Sequence, residues 1–256
     1  TVWLGREGDR VHYPLVETFD FDRLARDRQY YARAFAVQYN NQDAVYGGAI
    51  AERYSGGRLL VANPPMPPLE REELDRVYAL PFVRDYHPSY KKAGGVPAIE
   101  EVKFSITHNR GCFGACAFCA IAYHQGRSVR SRSIESCVAE AEKLTRLEGF
   151  KGYIHDVGGP TANFRQPACK KQLSAGVCPG RRCLTPKPCK NLVVDHSEYV
   201  ELLRRIEAVP GVKRVFIRSG IRYDYMMLDK SDAFVRKLVR DHVSGQLKVA
   251  PEHCSD

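Results

Sequence analysis

Nine cysteines fall in this chain of 256 residues, and seven of them lie in two groups. The first group is the run GCFGACAFC, a Cys-x3-Cys-x2-Cys spacing of Cys112, Cys116 and Cys119. Three thiolates are one short of closing a tetrahedral zinc site, and on a four-iron cubane they leave one iron without a protein ligand. A zinc ion completed by a distant residue is the alternative, although zinc ligands more often come as two Cys-x2-4-Cys pairs. Gly111 and Gly114 are expected to let this loop curl, bringing its amides toward the cluster sulfides. The second group, Cys169, Cys178, Cys183 and Cys189, is spaced Cys-x8-Cys-x4-Cys-x5-Cys. Four thiolates without a Cys-x2-Cys pair fit a second iron–sulfur cluster better than zinc, with two disulfides as the air-oxidised alternative. Cys137 and Cys254 stand alone. Thiols clustered in this way point to reduced metal ligands in a cytoplasmic compartment.

The elements that must position these groups differ between the first hundred residues and the rest. Phe21, Leu24, Tyr31, Ala32 and Phe35 fall on one helical face, RLLVA from Arg58 reads as a strand, and a helix is expected over 70–78. Four prolines between Pro64 and Pro68 end the strand by removing ladder donors. A loop through Lys91, Gly94 and Gly95 leads to a domain boundary near residue 98. From there strands and helices alternate. Strands are expected at 102–107, 153–157, 212–217 and 246–250. Helices are expected at 134–148 with Ser133 as N-cap and Cys137 on the apolar face, after Asp195, and around Phe234. Such β-α repeats imply a parallel sheet whose ligands gather at the strand C-termini. Residues 162–194 interrupt the pattern with a proline-rich, cysteine-bearing insertion that needs a staple to stay ordered.

The net charge of +9 is concentrated near the cysteines. Lys103, Arg110, Arg127, Arg130 and Arg132 lie between Glu101 and Glu135 with no acid, and seven more basic residues lie between Asp156 and Asp195, again with none. Arg127, Arg130 and Arg132 are expected to balance thiolate and iron–sulfur charge or to face solvent. The opposing reading is a nucleic-acid surface, for which Tyr123 and Phe164 are sparse stacking partners. No window approaches the ~18 uncharged apolar residues of a spanning helix, so no membrane role is expected. The chain starts at Thr1 and stops directly after a strand-like run, and it is expected to be an internal piece.

The spacing of Cys112, Cys116 and Cys119, with the apolar Phe118 just before the third cysteine, resembles the radical S-adenosylmethionine (radical SAM) enzymes. More narrowly the chain resembles the YgiQ-type proteins of that superfamily. The matching stretches are QYNNQDAVYGG, LLVANPPMPPL, IEEVKFSITHNRGCFGACAFCAI, HQGR, RSRSIES, DVGGPTAN, SGIRYD and LKVAPEH. The resemblance implies a [4Fe-4S] cluster on the three cysteines and S-adenosyl-L-methionine chelating the open iron. An electron then cleaves the C–S bond to give a 5′-deoxyadenosyl radical. It also implies a partial (β/α)6 barrel, here its first four strands, preceded by the tail of an N-terminal α/β domain. The electron donor would be a protein such as flavodoxin or ferredoxin; no residue singles out a substrate.

Gly158 and Gly159 match the family's Gly-Gly-Glu segment that lines the methionine amino group, with Pro160 in place of the acid. A side chain at either glycine is expected to occupy the methionine end of the site. After the third strand Arg222 is a candidate for the methionine carboxylate with Ser219 beside it, and an ion pair of Arg222 with Asp224 is equally compatible. Glu252, after the fourth strand, is the candidate ribose contact. CAIAYHQGRSVRSRS also resembles the corresponding loop of RNA-modifying methylthiotransferases. A metal-stapled nucleic-acid-binding module without catalysis is the remaining alternative.

Overall fold

Ala49, Ala51 and Val61 lie sealed under Trp3, Val11 and Leu59 because alternate residues of two paired strands turn one face inward. In the computed structural model, which describes residues 1–247 and Val249, these strands belong to the first of two units. That unit takes in Thr1–Pro68, Phe113–Ser128 and Pro167–Asn191. Its sheet runs Val2–Arg6, Arg58–Ala62, Ala49–Tyr54, Leu15–Glu17 in spatial order, antiparallel except for the last pair. The expected single helical face is divided between Phe21–Arg26 and Arg28–Asn40. Asp27 makes the division, since its carboxylate accepts from the Gln29 amide at 2.8 Å and caps the second helix.

The second unit takes in Leu69–Cys112, Val129–Gln166 and Leu192–Asp256. Three parallel strand segments lie side by side in it, in sequence order. Ser105–Thr107 pairs with Asp156–Gly158, and Tyr153–Ile154 pairs with Arg214–Val215. Single bonds lengthen these pairings: His108 N donates to Gly158 O and Val157 N to Phe216 O. Val249 adds a parallel bridge to Ile221. The strands are shorter than the sequence predicts. Ile99–Val102 is a helical turn, so the first strand begins three residues late, and the expected loop opens with a 3-10 turn, Pro88–Ala93, that holds Lys91 and is stopped by Gly94 at φ +89°. Among the described residues the strands form small sheets and do not close into a barrel.

Two helices cover the parallel strands. Ser133 caps Ile134–Thr145 by accepting from the Ser136 amide at 3.0 Å, and Cys137, Ala141 and Leu144 go into the core. The second helix, Ser197–Glu207, buries Tyr199, Leu202, Leu203 and Ile206 against Ile106, Ile154, Val157 and Val215. Its N-cap position is held by His196 rather than Asp195, whose carboxylate accepts from Ser197 N at 2.8 Å. No helix among the described residues is long and apolar enough to cross a membrane.

His108, at the end of the first parallel strand, has no exposed surface. Its Nε2 lies 2.9 Å from the Ala162 carbonyl, which can only accept, and its Nδ1 lies 3.4 Å from the Arg165 guanidinium, which can only donate. Those partners fix the neutral Nε2–H tautomer. Burial, reinforced by Arg165, holds its pKa well below the usual histidine range. Burial lowers His196 and His242 as well. A histidine with a depressed folded pKa contributes stability above its unfolded value and loses it as pH falls. Unfolding free energy should therefore drop between about pH 6.5 and 5, by up to about 1.4 kcal/mol per pH unit for each such residue. Urea titrations across that range check this, and a flat profile would contradict a neutral, buried His108.

Candidate functional site

The run from Gly111 to Cys119 leaves the first parallel strand, and the division between the two units falls inside it, after Cys112. On the side of the second unit, Gly111 adopts φ +79°, a conformation glycine takes without a steric cost. The Cys112 sulfur lies 3.3 Å from the Thr161 hydroxyl. That contact sets the first cysteine against the DVGGPTAN loop of the neighbouring strand.

On the side of the first unit, Cys119 N donates to Cys116 O at 3.1 Å. The left-handed residue here is Ala115, at φ +49°, and not Gly114 as the sequence leads one to expect. A methyl group held in that region costs about 1 kcal/mol. Ala115→Gly should accordingly raise stability by roughly 0.5–1 kcal/mol in urea unfolding. A loss instead would mean that packing of this buried methyl outweighs its strain. Phe118 is 71% exposed.

At the end of the next strand the two glycines are tight against protein atoms. A Cβ on Gly158 would meet the Ser219 hydroxyl at 2.2 Å and an Asp156 carboxylate oxygen at 2.4 Å. One on Gly159 would meet the Asn109 side-chain oxygen at 1.8 Å. Both glycines are thus required by the chain's own packing, whatever ligand lies beyond them, and a larger residue would disturb the strand end itself. Asp156 gathers the third strand end: its Oδ1 accepts from Arg218 N at 2.8 Å and Ser219 N at 3.1 Å, and its other oxygen accepts from the Ser219 hydroxyl.

Asn109 and Asn163 do the same for the glycine loop. Asn109, buried at 1% exposure, donates from Nδ2 to the carbonyls of Thr161 and Phe164. Its Oδ1 has no hydrogen-bond partner among the described residues and faces Gly159. Asn163 accepts from Arg222 N at 2.9 Å through Oδ1, and its Nδ2 faces His196 Nε2 at 3.1 Å. His196 Nδ1 in turn lies 2.6 Å from Asp229. The Arg222 guanidinium itself is gripped by both oxygens of Asp224, with Nε to Oδ1 at 2.8 Å. Glu252 and Cys254 lie outside the described residues.

A family profile described as Radical SAM N-terminal matches residues 2–105. A UPF0313 protein of Clostridium perfringens is 55% identical over 255 residues, covering 100% of this chain and 38% of the relative. A UPF0313 protein of Clostridium botulinum is 54% identical over 241 residues, covering 94% and 37%. The chain belongs to the UPF0313 (YgiQ-type) radical SAM family. It spans about 38% of the length of the Clostridium perfringens relative.

The structure brings together several of the candidates of this radical SAM chain within its second unit. Cys112 touches the glycine loop through Thr161, Gly158 packs on Ser219, and Arg222 is tied to the same loop through Asn163. Asp156, Asn109 and Asn163, which make those connections, did not stand out in the sequence. Asp156 and Asn163 flank the glycine pair in DVGGPTAN, the one signal that could have drawn attention to them.

Proposed function

We propose that this chain carries the cofactor-binding part of a radical SAM enzyme, with Cys112, Cys116 and Cys119 as ligands of a [4Fe-4S] cluster and S-adenosylmethionine on its open iron. The observation that carries the reading is the 3.3 Å contact of Cys112 with Thr161, which seats the first thiol of the three-cysteine loop against the Gly158–Gly159 strand end. The donor set suits the group. Three thiols within eight residues leave one iron open, and the buried Asn109 oxygen lacking a partner marks the glycine turn as a place where polar atoms still have capacity. When bound, cluster and S-adenosylmethionine supply one-electron cleavage of a C–S bond and hence hydrogen abstraction.

The chain's own residues position that chemistry. Asp156 and Asn109 fix the strand ends, and Gly158 and Gly159 keep the backbone close enough to present carbonyls to a methionine amino group. Ser219 has its hydroxyl on Asp156, so its part is orientation of the third strand end. Arg222 can hold the methionine carboxylate only by sharing its guanidinium with Asp224. Phe118 and Glu252 complete the proposed cofactor set. The first strands of a partial (β/α)6 barrel, a cytoplasmic location and a flavodoxin- or ferredoxin-type electron donor belong to the same reading. Cys169, Cys178, Cys183 and Cys189 are read as a second metal site, iron–sulfur or zinc.

Anaerobic reconstitution of the full-length protein with iron and sulfide, reduction, and assay of 5′-deoxyadenosine formed from S-adenosylmethionine tests the proposal. Formation of that product supports it, and absence of iron from folded, reduced protein refutes it. Part of the basic windows is engaged inside the protein, with Arg132 paired with Glu140, Arg165 with Glu198 at 2.6 Å and Arg130 with Glu70 at 3.5 Å, whereas Lys170, Lys171, Arg181, Arg182, Lys187 and Lys190 are exposed. With Arg130, Arg132 and Arg165 held by carboxylates, mixed RNA should show a salt slope well short of the one twelve phosphate contacts would give at roughly −0.7 each on single strands. A steep slope would favour the RNA-modifying alternative.

A further inference from the structure

The segment 167–191 carries four thiols and little apolar mass. Ala168, Val177 and Leu184 are its buried apolar side chains, and its one helix is the short Lys171–Ala175. Polar ties hold it within the first unit. Asp43 accepts from Val177 N at 2.9 Å with one oxygen and from Val45 N at 2.8 Å with the other. Arg127 donates to the carbonyls of Cys178 at 3.2 Å and Arg181 at 2.9 Å, and Cys189 N donates to Cys183 O at 2.9 Å. These bonds draw the stretches around Cys178, Cys183 and Cys189 together. The Cys183 thiol is half-buried, and its pKa is pushed up to about 11 by desolvation, with Arg127 acting against the rise and Cys169, Cys189 and Cys178 adding to it.

The cations around the thiols are the second observation. Arg127 is 8% exposed and its Nε has no hydrogen-bond partner. Among the described residues its guanidinium finds carbonyls and no carboxylate. A buried guanidinium with no counter-charge is costly, so an anionic group belongs beside it. Lys171 brings a second cation, its Nζ 3.9 Å from the Cys178 sulfur. A four-thiolate metal centre carries net negative charge and is the anion these residues fit.

Spacing distinguishes the two kinds of centre. Four thiolates at about 2.3 Å from one zinc ion stand about 3.8 Å apart, whereas on a cubane they radiate from four separate corners and stand wider. Among the described residues, no three of these sulfurs are gathered within 4.8 Å as a single ion would hold them, and the spacing Cys-x8-Cys-x4-Cys-x5-Cys lacks the two close Cys pairs usual for zinc. Resting on the metal-site reading above, we infer that Cys169, Cys178, Cys183 and Cys189 hold an iron–sulfur cluster of their own, with Arg127 and Lys171 as its charge partners.

The experiment compares iron, acid-labile sulfide and zinc in the full-length protein after anaerobic reconstitution. The wild type is expected to hold about eight irons. Replacing Cys112, Cys116 and Cys119 by alanine should leave about four, and so should replacing Cys169, Cys178, Cys183 and Cys189. Retention of the first cluster's absorbance in the latter variant reports that the protein still folds. Arg127→Gln, which removes the counter-charge and no ligand, should shift the midpoint potential of the second cluster negative, while Arg127→Lys should restore it. Zinc lost with the four cysteines would overturn the cluster and leave a metal site. Metal content indifferent to them would overturn both.

Discussion

Cys116→Ala in the full-length protein should abolish S-adenosylmethionine-dependent formation of 5′-deoxyadenosine and strip the iron of the 112–119 loop. The reason is chelation. Three thiolates in one short loop bind as a unit, and loss of the middle one leaves Cys112 and Cys119 separated by six residues, with a second iron lacking a protein ligand. Cys137→Ala is the matched control, because that thiol, on the inward face of the helix Ile134–Thr145, is fully buried in the core and has a raised pKa from burial. It should lose some stability, as a small cavity does, and keep its iron. Iron content and product formation unchanged in Cys116→Ala would mean that the three-cysteine loop is not the ligand set, and the family resemblance would then not extend to the chemistry of this chain.

What was legible in the sequence is what local spacing encodes. The cysteine loop, the Ser133 cap and the apolar faces of Ile134–Thr145 and Ser197–Glu207 are all patterns within a dozen residues, and each appears where the spacing puts it. The strands are short because their ends are set by side chains from distant sequence. Asp156 takes the amides of Arg218 and Ser219, and Asn109 takes carbonyls of Thr161 and Phe164, bonds that cross more than fifty residues and leave no periodicity. Arg222 shows the same limit from the other side. Its neighbour Asp224 is visible in the sequence as a rival partner, but only the folded chain puts both carboxylate oxygens on the guanidinium. The strain at Ala115 was hidden because alanine gives no hint of a left-handed backbone.

The charged group on the buried face of Ile134–Thr145 has no signature in the local spacing either, and it carries the largest stability effect expected here. Glu140 is 6% exposed and accepts from Arg132 through one oxygen and Arg84 through the other. The Arg132 side chain is 1% exposed, donates to Thr107 O at 3.0 Å and to Ser136 O at 3.0 Å, and lies over the Tyr78 ring at 4.1 Å. This places a positive charge inside the second unit at the end of the strand that leads into the cysteine loop. Burial lowers the pKa of both arginines, because desolvation disfavours their charged form. Glu140→Ala would leave two arginines facing each other without a counter-ion, and should cost about 3–5 kcal/mol in urea unfolding. Replacing Arg132 with methionine and Glu140 with leucine together should cost less than the sum of the single changes, because the double variant removes the desolvated charge along with its partner. A cost below about 1 kcal/mol for Glu140→Ala would be the value of an exposed pair, and would show that water reaches this guanidinium. Because Thr107 O is one of the acceptors, loosening Arg132 should loosen the strand end with it. The Glu140 variant should then lose cluster iron on mild heating before the wild type does, linking a buried ion pair in the core to the loop where the metal is proposed to bind.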